Sequence, residues 1–104
     1  MRAGALCGLD VRVAGPKGAD FDIEPGVLEE CAELTKAPGA GTVTVCDTAA
    51  DAVAGADVVY ADSWMSYGTV GAERDARLNA LMPFQVDFAE RNPCPVGLGV
   101  APAF

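Results

Sequence analysis

The chain has 104 residues, 51% of them hydrophobic, and a mean hydropathy of +0.24, which predicts one compact domain. Seven basic and fifteen acidic side chains give a net charge of −8, which would repel phosphate backbones and anionic lipid. We therefore expect neither nucleic acid nor a membrane as a partner. Because the apolar runs are short and the N-terminus carries no convincing secretory pattern, we expect a cytoplasmic protein.

The cysteines do not form a recognisable metal-binding pattern. They are widely spaced, with no C-x-x-C pair, and the chain contains no histidine to complete a mixed zinc site. We therefore expect no metal and no cofactor. Three of the cysteines stand among apolar neighbours, which favours buried free thiols at Cys7, Cys31 and Cys46.

The first half of the chain alternates between helical and extended patterns. Residues 2–8 resemble the end of a helix, and the apolar run LDVRVA at 9–14 predicts a strand. The turn GPKG at 15–18 follows. A helix is predicted over 25–36, where apolar residues share one face, and the β-branched run TVTVC predicts a strand over 42–46.

The second half continues the alternation. Thr48 and Asp51 are spaced as a capping box at the start of a short helix. The run DVVYA at 57–61 predicts a third strand, 71–82 a further helix, and VGLGVA at 96–101 a fourth strand. Strands that alternate with helices imply a parallel sheet with helices on both faces, so the predicted fold class is a three-layer α/β/α domain that is Rossmann-like.

One loop concentrates polar groups at the edge of this sheet where ligands bind. The loop DSWMSYG at 62–68 leaves the carboxyl end of the predicted third strand. Asp62 can accept hydrogen bonds from an ammonium group, and Ser66 can hold the same group or a carboxylate. Gly68 permits a tight turn, and Trp64 is interpreted as an anchor of the loop rather than a ligand contact.

Three runs in this order resemble one known family. The run GALCGLDVRVAGPKG at 4–18, the run AVAGADVVYADSWMSYG at 52–68 and the run ERDARLNALMPFQV at 73–86 are similar to the second domain of the ornithine carbamoyltransferases. The loop matches the family pattern D-x-W-x-S-M-G. The resemblance covers most of residues 4–86, so we expect residues 1–104 to be a partial amino-acid-binding domain with a divergent tail at 87–104.

The resemblance implies roles for individual loop residues. In the family, the aspartate of this loop binds the α-ammonium of ornithine, and the serine and methionine contact the amino-acid end. Here those positions are Asp62, Ser66 and Tyr67. Because tyrosine replaces methionine, the preferred ligand is ornithine or a related amino acid. The family reaction is attack of the ornithine side-chain amine on carbamoyl phosphate, which gives citrulline for arginine biosynthesis.

The chain also departs from the family. The carbamoyl-phosphate domain and its S-T-R-T run have no counterpart in these residues, and the first strand of the second domain is missing. The family's H-C-L-P site corresponds at best to NPCP at 92–95, which leaves Cys94 as a weak candidate for the catalytic cysteine. We therefore expect the chain by itself to be inactive and a separate carbamoyl-phosphate-binding chain to complete the reaction.

Two interpretations from other classes remain open beside the carbamoyltransferase. One is a non-catalytic module that binds an amino acid or a partner protein through the Asp62 loop. The other is a truncated gene product with an incomplete sheet. A phospho-receiver domain is disfavoured, because the end of the first strand carries Gly15, Pro16 and Lys17 instead of an acidic pair.

Overall fold

The structure is a computed structural model that describes residues 1–18, 20–64 and 70–86. The chain divides into two compact units, Met1–Asp47 and Thr48–Phe104. The first unit contains helix α1 (Arg2–Leu6), strand β1 (Asp10–Ala14), helix α2 (Pro25–Leu34) and strand β2 (Thr42–Cys46). The second contains helix α3 (Ala49–Val53), helix α4 (Ala72–Leu81) and a 3₁₀ turn, Met82–Phe84.

The first unit is built on a parallel pair of strands. β1 and β2 pair in register, so that Asp10 lies opposite Thr42 and Ala14 lies opposite Cys46. Helix α2 connects the two strands and starts with Pro25, whose missing N–H costs nothing in the first helical turn. Helix α1 contacts α2 and both strands. This arrangement confirms the predicted α/β class with a small parallel sheet, incomplete relative to a Rossmann-like domain.

Small side chains form the core of the first unit. Ala5 of α1 is fully buried and Cys31 of α2 is 1% exposed. Small residues at these positions allow the backbones of two contacting helices to approach closely. The prediction of buried thiols is confirmed for Cys31 and wrong for Cys7, which is exposed because it follows the last residue of α1; Cys46 is half-buried.

The segment that leads into β2 passes close to the backbone that leads into β1. The Gly41 amide donates to the carbonyl oxygen of Ala5 at 2.8 Å, and the Thr42 amide donates to that of Leu9 at 3.0 Å. A Cβ atom placed on Gly41 would lie 2.0 Å from the carbonyl oxygen of Leu9, which is far inside contact distance. This close approach therefore requires glycine at position 41.

A side-chain hydrogen bond also links the two strands. The Thr42 hydroxyl donates to Asp10 Oδ1 at 2.5 Å, and the Arg12 guanidinium donates to Asp10 Oδ2 at 2.8 Å. Together these donors lower the pKa of the Asp10 carboxyl, with the hydrogen bond from Thr42 as the largest cause. Because the pKa is lower in the folded chain than in the unfolded chain, the resulting stability is present above the unfolded pKa and is lost as the pH falls through the folded pKa.

We expect the Asp10→Asn variant to lose less thermal stability than the wild-type chain on acidification from about pH 5 to about pH 2. The asparagine oxygen can still accept from Thr42, but it does not titrate. Melting temperatures followed by circular dichroism across this range measure the difference. Glu29→Gln, which changes an exposed acid on α2, should follow the wild-type curve. Parallel wild-type and Asp10→Asn curves would contradict the assignment.

The second unit confirms Thr48 as the N-cap of helix α3 and confirms its contact with Asp51. The Thr48 hydroxyl accepts a hydrogen bond from the Asp51 amide at 3.1 Å and donates to the Asp51 carboxylate at 2.6 Å. Thr48 caps the start of α3. Val53, the last residue of this helix, is buried, with 8% of its surface exposed. The predicted helix over 71–82 is confirmed as α4, and it is preceded by Gly71 in the left-handed region at φ +66°.

The predicted third strand is wrong over most of its length. Within 57–61, Val59 makes a single bridge, and no strand is formed. Val58 and Tyr60 are 62% and 78% exposed. Side chains of this kind favour a strand when they pack against neighbours on a half-buried sheet, and these two lack that burial. The predicted fourth strand, 96–101, and the proposed divergent tail, 87–104, lie outside the described residues.

Among the residues that the structure describes, no helix combines the length and the apolar character needed to cross a membrane.

Candidate functional site

The Asp62 carboxylate lies on the surface of the second unit. Asp62 and Ser63 are exposed, whereas Ala61 before them is half-buried. The Ser63 amide donates to Asp62 Oδ1 at 2.7 Å, which fixes the direction of the carboxylate relative to its own backbone. An exposed carboxylate held in this way can accept charge-assisted hydrogen bonds from a ligand ammonium.

Helix α4 holds the backbone two residues after this carboxylate. The Nε–H of Arg77 donates to the carbonyl oxygen of Trp64 at 2.7 Å, and this bond is partly buried. Trp64 is half-buried, which agrees with its interpretation as an anchor of the loop. The segment Asp62–Trp64 is thus fixed to the helix that follows it in the chain.

The sequence did not identify Arg77 as part of the site. Its i, i+4 spacing from Glu73 favours an ion pair on the helix surface, yet its Nε–H is directed at the Trp64 carbonyl. One feature of the sequence could have found it. Arg77 stands four residues before Leu81, and residues at this spacing lie on the same face of a helix. Arg77 and Leu81 are indeed both half-buried, while Glu73 is exposed.

The other predicted site residues lie outside the described part of the chain. Ser66, Tyr67 and Gly68 belong to 65–69, and Cys94 belongs to 87–104, so their roles stay predictions. For the described residues, there is no group of three or more histidine, cysteine or acidic side chains that could hold a metal ion.

An ion pair occupies the carboxyl ends of the strands in the first unit. Lys17, after β1, places its Nζ 2.6 Å from Oδ1 of Asp47, after β2. The hydrogen bond between them raises the pKa of Lys17 and lowers that of Asp47. Both side chains are about four-fifths exposed, at 78% and 80%. An ion pair this exposed to solvent contributes little to stability.

The chain is similar to enzymes of one kind from several bacteria. It is 44% identical over 89 residues to the ornithine carbamoyltransferase of Rhizorhabdus wittichii and 38% identical over 89 residues to that of Anoxybacillus flavithermus; each match covers 86% of this chain. It is also 35% identical over 88 residues, 81% of this chain, to the catabolic ornithine carbamoyltransferase of Burkholderia mallei.

These matches cover a limited part of each relative. The aligned region is 26%, 27% and 24% of the three relatives, respectively, so the chain spans about a quarter of the length of the curated proteins it matches. No solved structure gives a significant match.

The family comparison agrees with these relatives and with the fold. The family model described as "Aspartate/ornithine carbamoyltransferase, Asp/Orn binding domain" matches residues 1–91, which include strands β1 and β2, helices α1 to α4 and the Asp62 loop. The chain therefore belongs to the aspartate/ornithine carbamoyltransferase family, in the region of its amino-acid-binding domain.

Proposed function

We propose that this chain binds ornithine, or a closely related amino acid, through the loop at 62–68. The observation that carries the proposal is the Asp62 carboxylate, which is exposed, directed by the Ser63 amide and attached to α4 through Trp64. A carboxylate in such a position favours an α-ammonium group, because the charge-assisted hydrogen bonds are stronger than those between neutral groups.

The loop offers further groups for the rest of the ligand. We propose that Ser66 contacts the amino-acid end beside Asp62, that Tyr67 contacts it in place of the family methionine, and that Gly68 allows the turn between the loop and the next segment. A phenol adds a hydrogen-bonding group that methionine lacks. Tyr67 is therefore the residue through which this chain would prefer a relative of ornithine over ornithine itself.

We further propose that the chain is the amino-acid-binding part of a carbamoyl transfer. In that reaction the side-chain amine of ornithine attacks the carbonyl carbon of carbamoyl phosphate, the bond to the phosphate oxygen breaks, and citrulline and phosphate are released. The amine loses a proton in the process. Such a reaction depends mainly on positioning of the two substrates. A cytoplasmic setting in arginine biosynthesis and a role of Cys94 near the ornithine side chain belong to the same proposal.

The family model that matches residues 1–91 is that of the amino-acid-binding domain, and the transfer also needs a carbamoyl-phosphate site. We propose that a carbamoyl-phosphate-binding chain supplies this site as a partner. Citrulline formation from ornithine and carbamoyl phosphate, measured with this chain and with a carbamoyl-phosphate-binding chain added, tests the transfer. We expect citrulline to form only when both chains are present. Its absence there would contradict the catalytic part and leave the binding part standing.

Calorimetric titration with L-ornithine tests the binding part. We expect saturable binding by the full chain, after circular dichroism has shown that it is folded. L-Norvaline lacks the side-chain amine and should still bind, because the proposed contact of Asp62 is with the α-ammonium group. 5-Aminopentanoate lacks the α-ammonium group and should not bind. If a folded chain bound neither ornithine nor norvaline, the proposed amino-acid site would be refuted.

A further inference from the structure

A cation on α4 holds the loop segment that carries the proposed ligand carboxylate. Arg77 is half-buried, and its Nε–H donates to the Trp64 carbonyl oxygen at 2.7 Å. Arg74, three residues earlier on the same helix, is exposed. Two arginines of one helix therefore differ in burial, and the one with the more buried side chain contacts the loop backbone.

The hydrogen bond from Arg77 to Trp64 lies close enough to Asp62 along the chain to limit the movement of the Asp62 side chain. Trp64 lies two residues after Asp62, a span of at most about 7 Å of extended backbone. The intervening Ser63 donates its amide to the Asp62 carboxylate at 2.7 Å. A continuous path thus runs from α4 through the Trp64 carbonyl and the Ser63 amide to the carboxylate.

Arginine suits this task better than other donors. Its guanidinium is planar, stays charged at all relevant pH values and presents several donors in fixed directions. A hydrogen bond from a charged donor to a carbonyl is stronger than one between neutral groups. Lysine keeps the positive charge, but its hydrogen-bond donors are all on the terminal ammonium group. It can therefore restore the hydrogen bond to the Trp64 carbonyl oxygen only in part.

We propose that Arg77 is a positioning residue, which directs the Asp62 carboxylate toward the ligand ammonium by anchoring the Trp64 carbonyl to α4. The proposal rests on the proposed amino-acid site, and Arg77 does not itself touch the ligand. It assigns to α4 the task of holding Asp62, Ser63 and Trp64 in place before the amino acid binds, so that less ordering of these residues remains to be done on binding.

The first test needs no ligand, because Trp64 is the single tryptophan of the chain. In the Arg77→Gln variant of the full chain, we expect the Trp64 emission to be quenched more efficiently by acrylamide and its fluorescence anisotropy to fall. The Arg74→Gln variant makes the same change of charge at an exposed position of the same helix, and it should keep wild-type values. Equal quenching in all three proteins would overturn the anchoring.

The second test is ornithine affinity. We expect Arg77→Gln to bind at least about tenfold more weakly than wild type, Arg77→Lys to fall between the two, and Arg74→Gln to match wild type. Far-ultraviolet circular dichroism checks that each variant is folded. If Arg77→Gln is unfolded, Arg77→Lys is compared with the wild-type chain instead. Unchanged affinity in the folded Arg77 variants would overturn the proposal.

The two tests separate the proposals. A wild-type chain that does not bind ornithine refutes the amino-acid site and, with it, the ligand-directing role of Arg77, while the quenching experiment still decides whether Arg77 anchors the loop. A wild-type chain that binds ornithine, with Arg77 variants that bind equally well, refutes only the positioning role.

Discussion

The Asp62→Asn variant is expected to bind L-ornithine at least about tenfold more weakly than the wild-type chain. Asparagine keeps an oxygen that can accept from the Ser63 amide, as Asp62 Oδ1 does at 2.7 Å, so the loop backbone should be retained. What the substitution removes is the negative charge that favours an ammonium group. The loss should therefore appear in affinity and leave the melting temperature unchanged.

Calorimetric titration of both proteins measures this loss. Asp57→Asn is the matched control, because it removes one negative charge from an exposed aspartate of the same unit, five residues before Asp62. The control should bind as the wild-type chain does. An equal loss in the two variants would assign the effect to net charge, and wild-type affinity in Asp62→Asn would exclude a direct contact between this carboxylate and the ligand ammonium.

Replacing Gly41 by alanine should lower the free energy of unfolding by about 3 kcal/mol or more. The new Cβ would lie 2.0 Å from the Leu9 carbonyl oxygen and 2.5 Å from the Leu9 nitrogen, and both are backbone atoms that cannot rotate away. Relief requires the strand entrance to move, which also weakens the hydrogen bond from the Gly41 amide to Ala5. We therefore expect partial or complete unfolding of the first unit.

Urea unfolding followed by circular dichroism measures the change. Gly26→Ala is the matched control, since a Cβ at Gly26, in the first turn of α2, meets no atom within 4 Å apart from its chain neighbours and the backbone of its own helix. That variant should be more stable than wild type by about 0.5 kcal/mol, because alanine restricts the unfolded chain. Similar midpoints for Gly41→Ala and wild type would show that the entrance to β2 is less tightly packed than the structure indicates.

Local patterns in the sequence determined most of the regular structure. The structure confirmed the apolar run of β1, the β-branched run of β2, the apolar face of α2 and the N-cap at Thr48. Each of these patterns acts through neighbours within a few residues. The parallel pairing followed from the helix between the two strands. The family could likewise be identified from short runs in a fixed order.

Contacts between distant parts of the chain decided the rest. The pattern DVVYA at 57–61 has strand composition, but a strand also needs neighbours to pack against, and Val58 and Tyr60 remain exposed. Cys7 has apolar neighbours in sequence and is nevertheless exposed at the end of α1. Composition reports what a segment favours, and burial depends on which other segments cover it.

The candidate site shows the same division. The sequence predicts an ammonium site at Asp62, because this aspartate starts a loop with the pattern D-x-W-x-S. Only the tertiary structure showed that Arg77 donates to the carbonyl oxygen of Trp64, thirteen residues before it, and that Gly41 passes within contact distance of Leu9. Both depend on how the chain folds back on itself. Periodicity describes one segment at a time, so neither contact could be derived from it.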